Sequence, residues 1–166
     1  MPRNEVSQEQ VDKLIHDIGF LQDESEALKY IIDTVPYTKK SASGPSIVER
    51  LLFLDHAQHE YYRVVIEDAS KSPRPINLNA YSSPEETFVL DEEKAGDVQK
   101  VLYKIAKHRA GLLNLVRKIA IIDWERKISN SHNSSNLFDF VSSMVVKEKK
   151  VLKEIADLIM EFQKKG

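Results

Sequence analysis

The sequence contains no cysteine, which excludes disulfides, thiolate metal sites and cysteine nucleophiles and fits a reducing, cytoplasmic setting. There is no run of about 18 or more apolar residues, so no membrane-spanning helix is expected. The opening stretch, MPRNEVSQEQ, has neither a signal-peptide core nor a lipidation signature, and export is not expected either. Neither charge sign dominates: 24 Lys and Arg stand against 26 Asp and Glu, for a formal net charge of −2. With both signs mixed along the chain, no basic face is left for nucleic acid and no polybasic segment for a membrane surface. The five glycines are scattered and form no phosphate loop, and neither an internal repeat nor a low-complexity tract is visible.

What is present is helical periodicity. The 166 residues suit a single domain spanning 1–166, with a sizeable core. Apolar residues recur at three- and four-residue spacing in blocks from about Ser7 to Val35, Ser46 to Glu67, Glu92 to Ile122 and Asn136 to Phe162. Each block has one apolar face, which predicts an all-α four-helix bundle. Pro36 ends the first block by disfavouring helical geometry at Val35. Ser46 and Glu49 have the spacing of a capping box that opens the second, whose buried stripe reads Ile47, Leu51, Leu54, Tyr61 and Val65. Between blocks two and three, ASKSPRPINLNAYSSPEETFVLD is too rich in Pro, Ser and Asn to be helical throughout. A connection of that length can run along a bundle and leave helices two and three parallel. NSHNSS, by contrast, reads as a short polar loop joining antiparallel neighbours.

With these elements in hand, the chain resembles the DinB/YfiT-like superfamily of four-helix bundles, associated with metal-dependent hydrolases. The resemblance lies in SIVERLLFLDHAQ, similar to the family's S-I-x-E-I-L-x-H-L-x-D-A-E, in LFDFVSSMVVKEKKVLKEIADLI, similar to L-x-x-L-L-x-H-x-x-x-H-D-x-x-H-L-x-Q-I, and in IDWERKI near the end of the third helix. It implies an up-down-down-up bundle with a long crossover between helices 2 and 3, and a homodimer. It also implies a divalent metal such as Zn or Ni, held by one histidine of helix two and an H-x-x-x-H pair of the last helix. Those positions fall on Phe53, Lys147 and Val151 here. Neither Phe nor Val can donate to a metal and a cation at 147 would repel one, so the ancestral centre is expected to be lost and no cofactor is expected. Phe53 and Val151 are expected to meet and fill the former metal position with a dry apolar contact.

Two polar features remain. His56 and His59 lie one turn apart on helix two; successive residues turn about 100° on a helical wheel, which points both outward. They read as solvated or subunit-contact residues, or as a surface metal site with Asp55 or Glu60. His16 and His132 have no evident partner. The same wheel places Gln58, Arg109 and Glu148 inside the apolar stripes near mid-helix, with Gln22 and Ser25 level with them on helix one and His108 and Lys147 at the layer's edge. A buried Arg or Glu is tolerable only when paired, so Arg109 is expected to meet Glu148 directly or through Gln58. The layer reads either as a network fixing helix register or as a pocket for a small polar or anionic ligand, built on Arg109, Lys147 and His108 and lined by Tyr61. The functional expectation is a metal-free ligand-binding or structural bundle. The alternative is a metal-dependent hydrolase or thiol transferase with a reorganised site.

Overall fold

Helix starts follow the capping residues. Ser7 accepts from the backbone of Gln10, whose side chain answers the Ser7 backbone, and α1 (Gln8–Ile18) begins there. Ser46 and Glu49 form the same reciprocal pair at the start of α3 (Ile47–Ala57), satisfying backbone donors that the first turn leaves free. The computed structural model describes residues 5–42 and 44–165, and these are mostly helical, with four long helical segments forming a bundle. Among the described residues no helix is long and apolar enough to cross a membrane.

Each of the first three segments is interrupted. The first breaks at Gly19 into α1 and α2 (Phe20–Leu28). The second runs from α3 through a π turn, Gln58–Tyr62, into α4 (Arg63–Lys71). A π turn accommodates one extra residue and rotates everything after it relative to a continuous α-helix. That rotation corrects the expected stripe, because Tyr62 is buried while Tyr61 is half-exposed. The crossover then contains β1 (Ile76–Asn77), α5 (Pro84–Thr87) and α6 (Glu92–Ala95). The third segment starts afresh at Asp97, which accepts from the Lys100 backbone to cap α7 (Val98–Arg117), and does not run unbroken from Glu92.

Past α7 the chain forms β2 (Lys127–Ser129) and β3 (Ser134–Asn136) and enters α8 (Leu137–Lys165). β2 pairs with β1 in parallel, Ile76 opposite Ile128, and with β3 antiparallel. The segment read as a polar loop is therefore the turn of a small hairpin, whose strands are too short to show a period-two pattern. Ile76 and Ile128 are buried there beside Trp124, which is fully enclosed and meets Phe138 edge-on.

The apolar core divides in two. One cluster gathers Leu14, Ile18, Val65, Leu112, Trp124 and Met144, and the other Leu21, Leu51, Leu102, Ile105, Leu152 and Ile155. Gln58, Arg109 and Glu148, all buried, fall at the boundary, Arg109 between Ile105 of one cluster and Leu112 of the other.

Candidate functional site

Arg109 is 0% exposed and is satisfied from three helical segments. Its Nη2 donates to Glu148 Oε2 on α8, its Nε to Gln58 Oε1 at 3.0 Å, and its Nη1 to the carbonyl of Ile18 at 3.1 Å. That carbonyl is available because α1 stops at Gly19, and the last carbonyls of a helix lack intrahelical donors. Gln58 completes the arrangement by donating Nε2 to the Ile105 carbonyl at 3.1 Å and to Asp55 Oδ1 at 3.0 Å. Burial pushes the Glu148 carboxyl up from its ordinary value, while the Arg109 charge and hydrogen bond pull it back down. Burial also raises the Tyr62 phenol, with the nearby Glu148 charge adding to the effect.

The other residues expected in this layer lie elsewhere. Ser25 is buried but turns its hydroxyl onto its own helix, donating to the Leu21 carbonyl at 2.7 Å. Gln22 is only half-buried, and Lys147 is exposed on the outer face of α8. Tyr61 packs by its ring on Tyr62 and Phe140, with centroids 5.0 and 6.1 Å away. Phe53 and Val151 each have other neighbours. The Phe53 ring stands edge-on to Phe88 of the crossover at 5.4 Å, whereas Val151 packs against the cluster of Leu21 and Leu152. Phe53 lies off the buried stripe of α3, which is why it meets the crossover.

A second polar region opens outward from this network, as a cleft of about 270 Å³ between α3, the π turn, α7 and the crossover. Asp55 is the link: its Oδ1, which accepts from Gln58, also stands 2.8 Å from His108 Nδ1. His59 stacks on the other face of His108, ring centroids 3.9 Å apart and planes 16° apart. The expectation that His59 faces outward is thus corrected: it follows Asp55 by one turn, on the side of the second segment that faces α7. Its Nδ1 is buried and has no hydrogen-bond partner among the described residues. His56 goes to the crossover: its Nε2 is 2.7 Å from Thr87 Oγ1, and its ring lies 5.5 Å from Phe88.

The charges around this cleft are unequally committed. Asp91 Oδ1 accepts from the backbones of Glu93 and Lys94, and Asp97 Oδ1 from that of Lys100. Asp55 is held by His108 and Gln58. By contrast Lys94, Lys100 and Lys104, which line the same cleft, form no ion pair among the described residues. Lys100, Lys104 and His108 share one face of α7 by their i, i+4 spacing. That spacing was visible in the sequence, but its significance depends on the crossover folding back beside it. Asp55 was likewise weighed only as a partner for a metal.

The positions that the resemblance assigns to metal ligands do not fit a divalent ion, since Phe53 and Val151 have no donor atom and Lys147 points to solvent. His56 and His59 do not converge either. Each ring is turned to a different neighbour, and His59 meets His108 face to face. Among the described residues no group of three or more His, Asp or Glu side chains is placed to hold a metal ion.

No protein-family model matches the chain, and no curated protein sequence does. Among solved structures it is similar to YfiT from Bacillus subtilis, described as a probable metal-dependent hydrolase with an unusual four-helix bundle topology. The TM-score is 0.77 at 15% identity, covering 97% of this chain and 92% of that one. The two share a fold.

Proposed function

We propose that this chain, built on the YfiT four-helix fold, is a metal-independent bundle that binds a small anionic ligand in the cleft between α3 and α7. The observation that carries the reading is the set of lysines that face the cleft without an ion pair among the described residues. Three lysines face the cleft without ion pairs, while Asp55, Asp91 and Asp97 are engaged by a histidine, a glutamine amide and helix caps. Glu60 is the remaining carboxylate of the lining. The lining as a whole is not positive, since four carboxylates stand against three lysines; an anion would meet positive charge locally, along the Lys100 and Lys104 face of α7, with the apolar faces of Leu52, Phe88 and Val101 reducing its exposure to water. Arg109 takes no part in binding. Its donors are satisfied inside the bundle, and the ion pair with Glu148 fixes the register of α7 on α8.

Connectivity is part of the same proposal: the bundle runs up-down-down-up. Asp55 with His108 and Arg63 with Gly111 advance together along the second segment and α7, which supports parallel second and third segments. Arg50 with Glu154 and Tyr62 with Phe140 run in opposite directions along the second and fourth, and Ile18 with Arg109 and Lys29 with Gln99 do so along the first and third. This arrangement puts the crossover alongside the cleft, where it supplies Phe88.

Calorimetric titration with inorganic phosphate and with malonate tests the function. The expected result is saturable binding that weakens with added salt and falls at least about tenfold, or 1.4 kcal/mol, in Lys100→Glu/Lys104→Glu. No saturable binding of either anion, or equal binding by the double variant, contradicts the proposal.

A further inference from the structure

From the contacts of His108 we infer that the cleft is a hydrolytic site, in which His108 acts as a general base on small anionic carboxylic esters. The inference rests on the anion-binding reading and adds turnover to it. A general base must be oriented, must keep one nitrogen open, and must face a substrate position. His108 meets these requirements in turn.

Orientation comes from Asp55. With the carboxylate 2.8 Å from Nδ1, the proton belongs on Nδ1 and the lone pair on Nε2, because a carboxylate can only accept. Asp55 is itself restrained by the Gln58 amide at 3.0 Å, and Gln58 in turn by Arg109 and the Ile105 carbonyl. Stacking on His59 fixes the ring plane. The base and its carboxylate are thus anchored to the bundle core, as precise positioning requires.

His108 Nε2 forms no hydrogen bond among the described residues and is not enclosed, and the residue lines the cleft. One turn earlier on the same helix face, Lys104 is half-buried and without an ion pair, placed to hold the anionic end of a substrate or to face an oxyanion. Among the described residues no serine or threonine hydroxyl forms a hydrogen bond with His108, so the nucleophile assigned is water. Its oxygen forms a bond to the ester carbonyl carbon while His108 Nε2 takes its proton. When the tetrahedral intermediate collapses, the bond to the leaving oxygen breaks, and the imidazolium returns the proton to the departing alkoxide. Ester and water become acid and alcohol, and no electrons change hands.

The test uses mono-4-nitrophenyl succinate as the anionic ester and 4-nitrophenyl acetate as its neutral counterpart. Saturable release of nitrophenol is expected, with the anionic ester favoured in kcat/KM. His108→Gln, a half-exposed substitution compatible with folding, should lower kcat by about 100-fold or more, while His132→Ala on the distant hairpin turn leaves it unchanged. Asp55 is a positioning residue: Asp55→Asn should lower kcat with little change in KM and displace the pH–rate profile, and Asp55→Glu should recover part of the loss. Equal rates in wild type and His108→Gln overturn the inference by assigning the hydrolysis to other side chains. Binding of the succinate ester, read by competition with phosphate, without turnover overturns the inference alone. Absence of both binding and turnover sinks the anion-binding reading as well.

Discussion

Asp55 and Arg109 are joined through one side chain: the Gln58 amide nitrogen donates to the Asp55 carboxylate, and the Gln58 oxygen accepts from the Arg109 guanidinium. The cleft and the buried ion pair are therefore consecutive parts of one hydrogen-bond path, from His108 through Asp55, Gln58 and Arg109 to Glu148. Its inner half is enclosed by apolar clusters and its outer half opens to solvent, so the two halves respond differently to substitution.

At the inner end, Arg109→Ala leaves Glu148 buried without its partner and should destabilise the protein by about 3–5 kcal/mol. Combining Arg109→Met with Glu148→Leu removes both charges and should restore most of that loss. Urea denaturation measures both variants. Losses below about 1 kcal/mol for Arg109→Ala, the range of an exposed pair, would contradict the buried network.

Glu148 also gives a pH dependence of known sign. Burial raises its carboxyl above the ordinary 4.5 in the folded state, so the native protein holds that proton more tightly than the unfolded chain. The group's contribution is full below about pH 4.5 and is lost as pH rises through the folded-state value. Relative to Glu148→Gln, which does not titrate, wild type should lose stability as pH increases through that window. A relative stability that is flat or rises with pH would show that Arg109 outweighs burial.

The π turn makes a third prediction. Deleting the exposed Glu60 should let Gln58–Tyr62 close as α-helix while Tyr62, Val65 and Ile66 stay on the core face, because the deletion removes the one residue that the turn accommodates. Only a small change in melting temperature is expected. A drop of the size produced by removing several buried side chains would mean that the turn does not absorb an extra residue.

These elements were unequally legible. Arg109, Gln58 and Glu148 stood out because a charged or amide side chain within an apolar stripe must be paired, and a helical wheel is sufficient to place it. His59 was misread because a wheel gives the angle from the buried stripe but not where the neighbouring helix stands, and α7 lies on the side of Asp55 and His59. The three short strands escaped notice because two or three residues cannot show a period. The cleft was beyond reach for a different reason. Lys100, Lys104 and His108 mark a polar face of α7, but a polar face becomes a cleft only when Phe88 and Thr87 anchor the crossover beside it, through long-range contacts with Phe53 and His56. Phe53 itself was assigned through aligned motifs, whereas its actual neighbour comes from the crossover.

The account stands most directly on where an anion binds, and a phosphate titration followed by NMR, with the histidine rings and the α7 amides observed separately, measures that. The predicted result is a saturable shift of His59 and His108 with the Lys100 and Lys104 backbone signals, leaving His16 and His132 unmoved. Equal movement of all five histidines, or no saturable shift at the cleft, would contradict it.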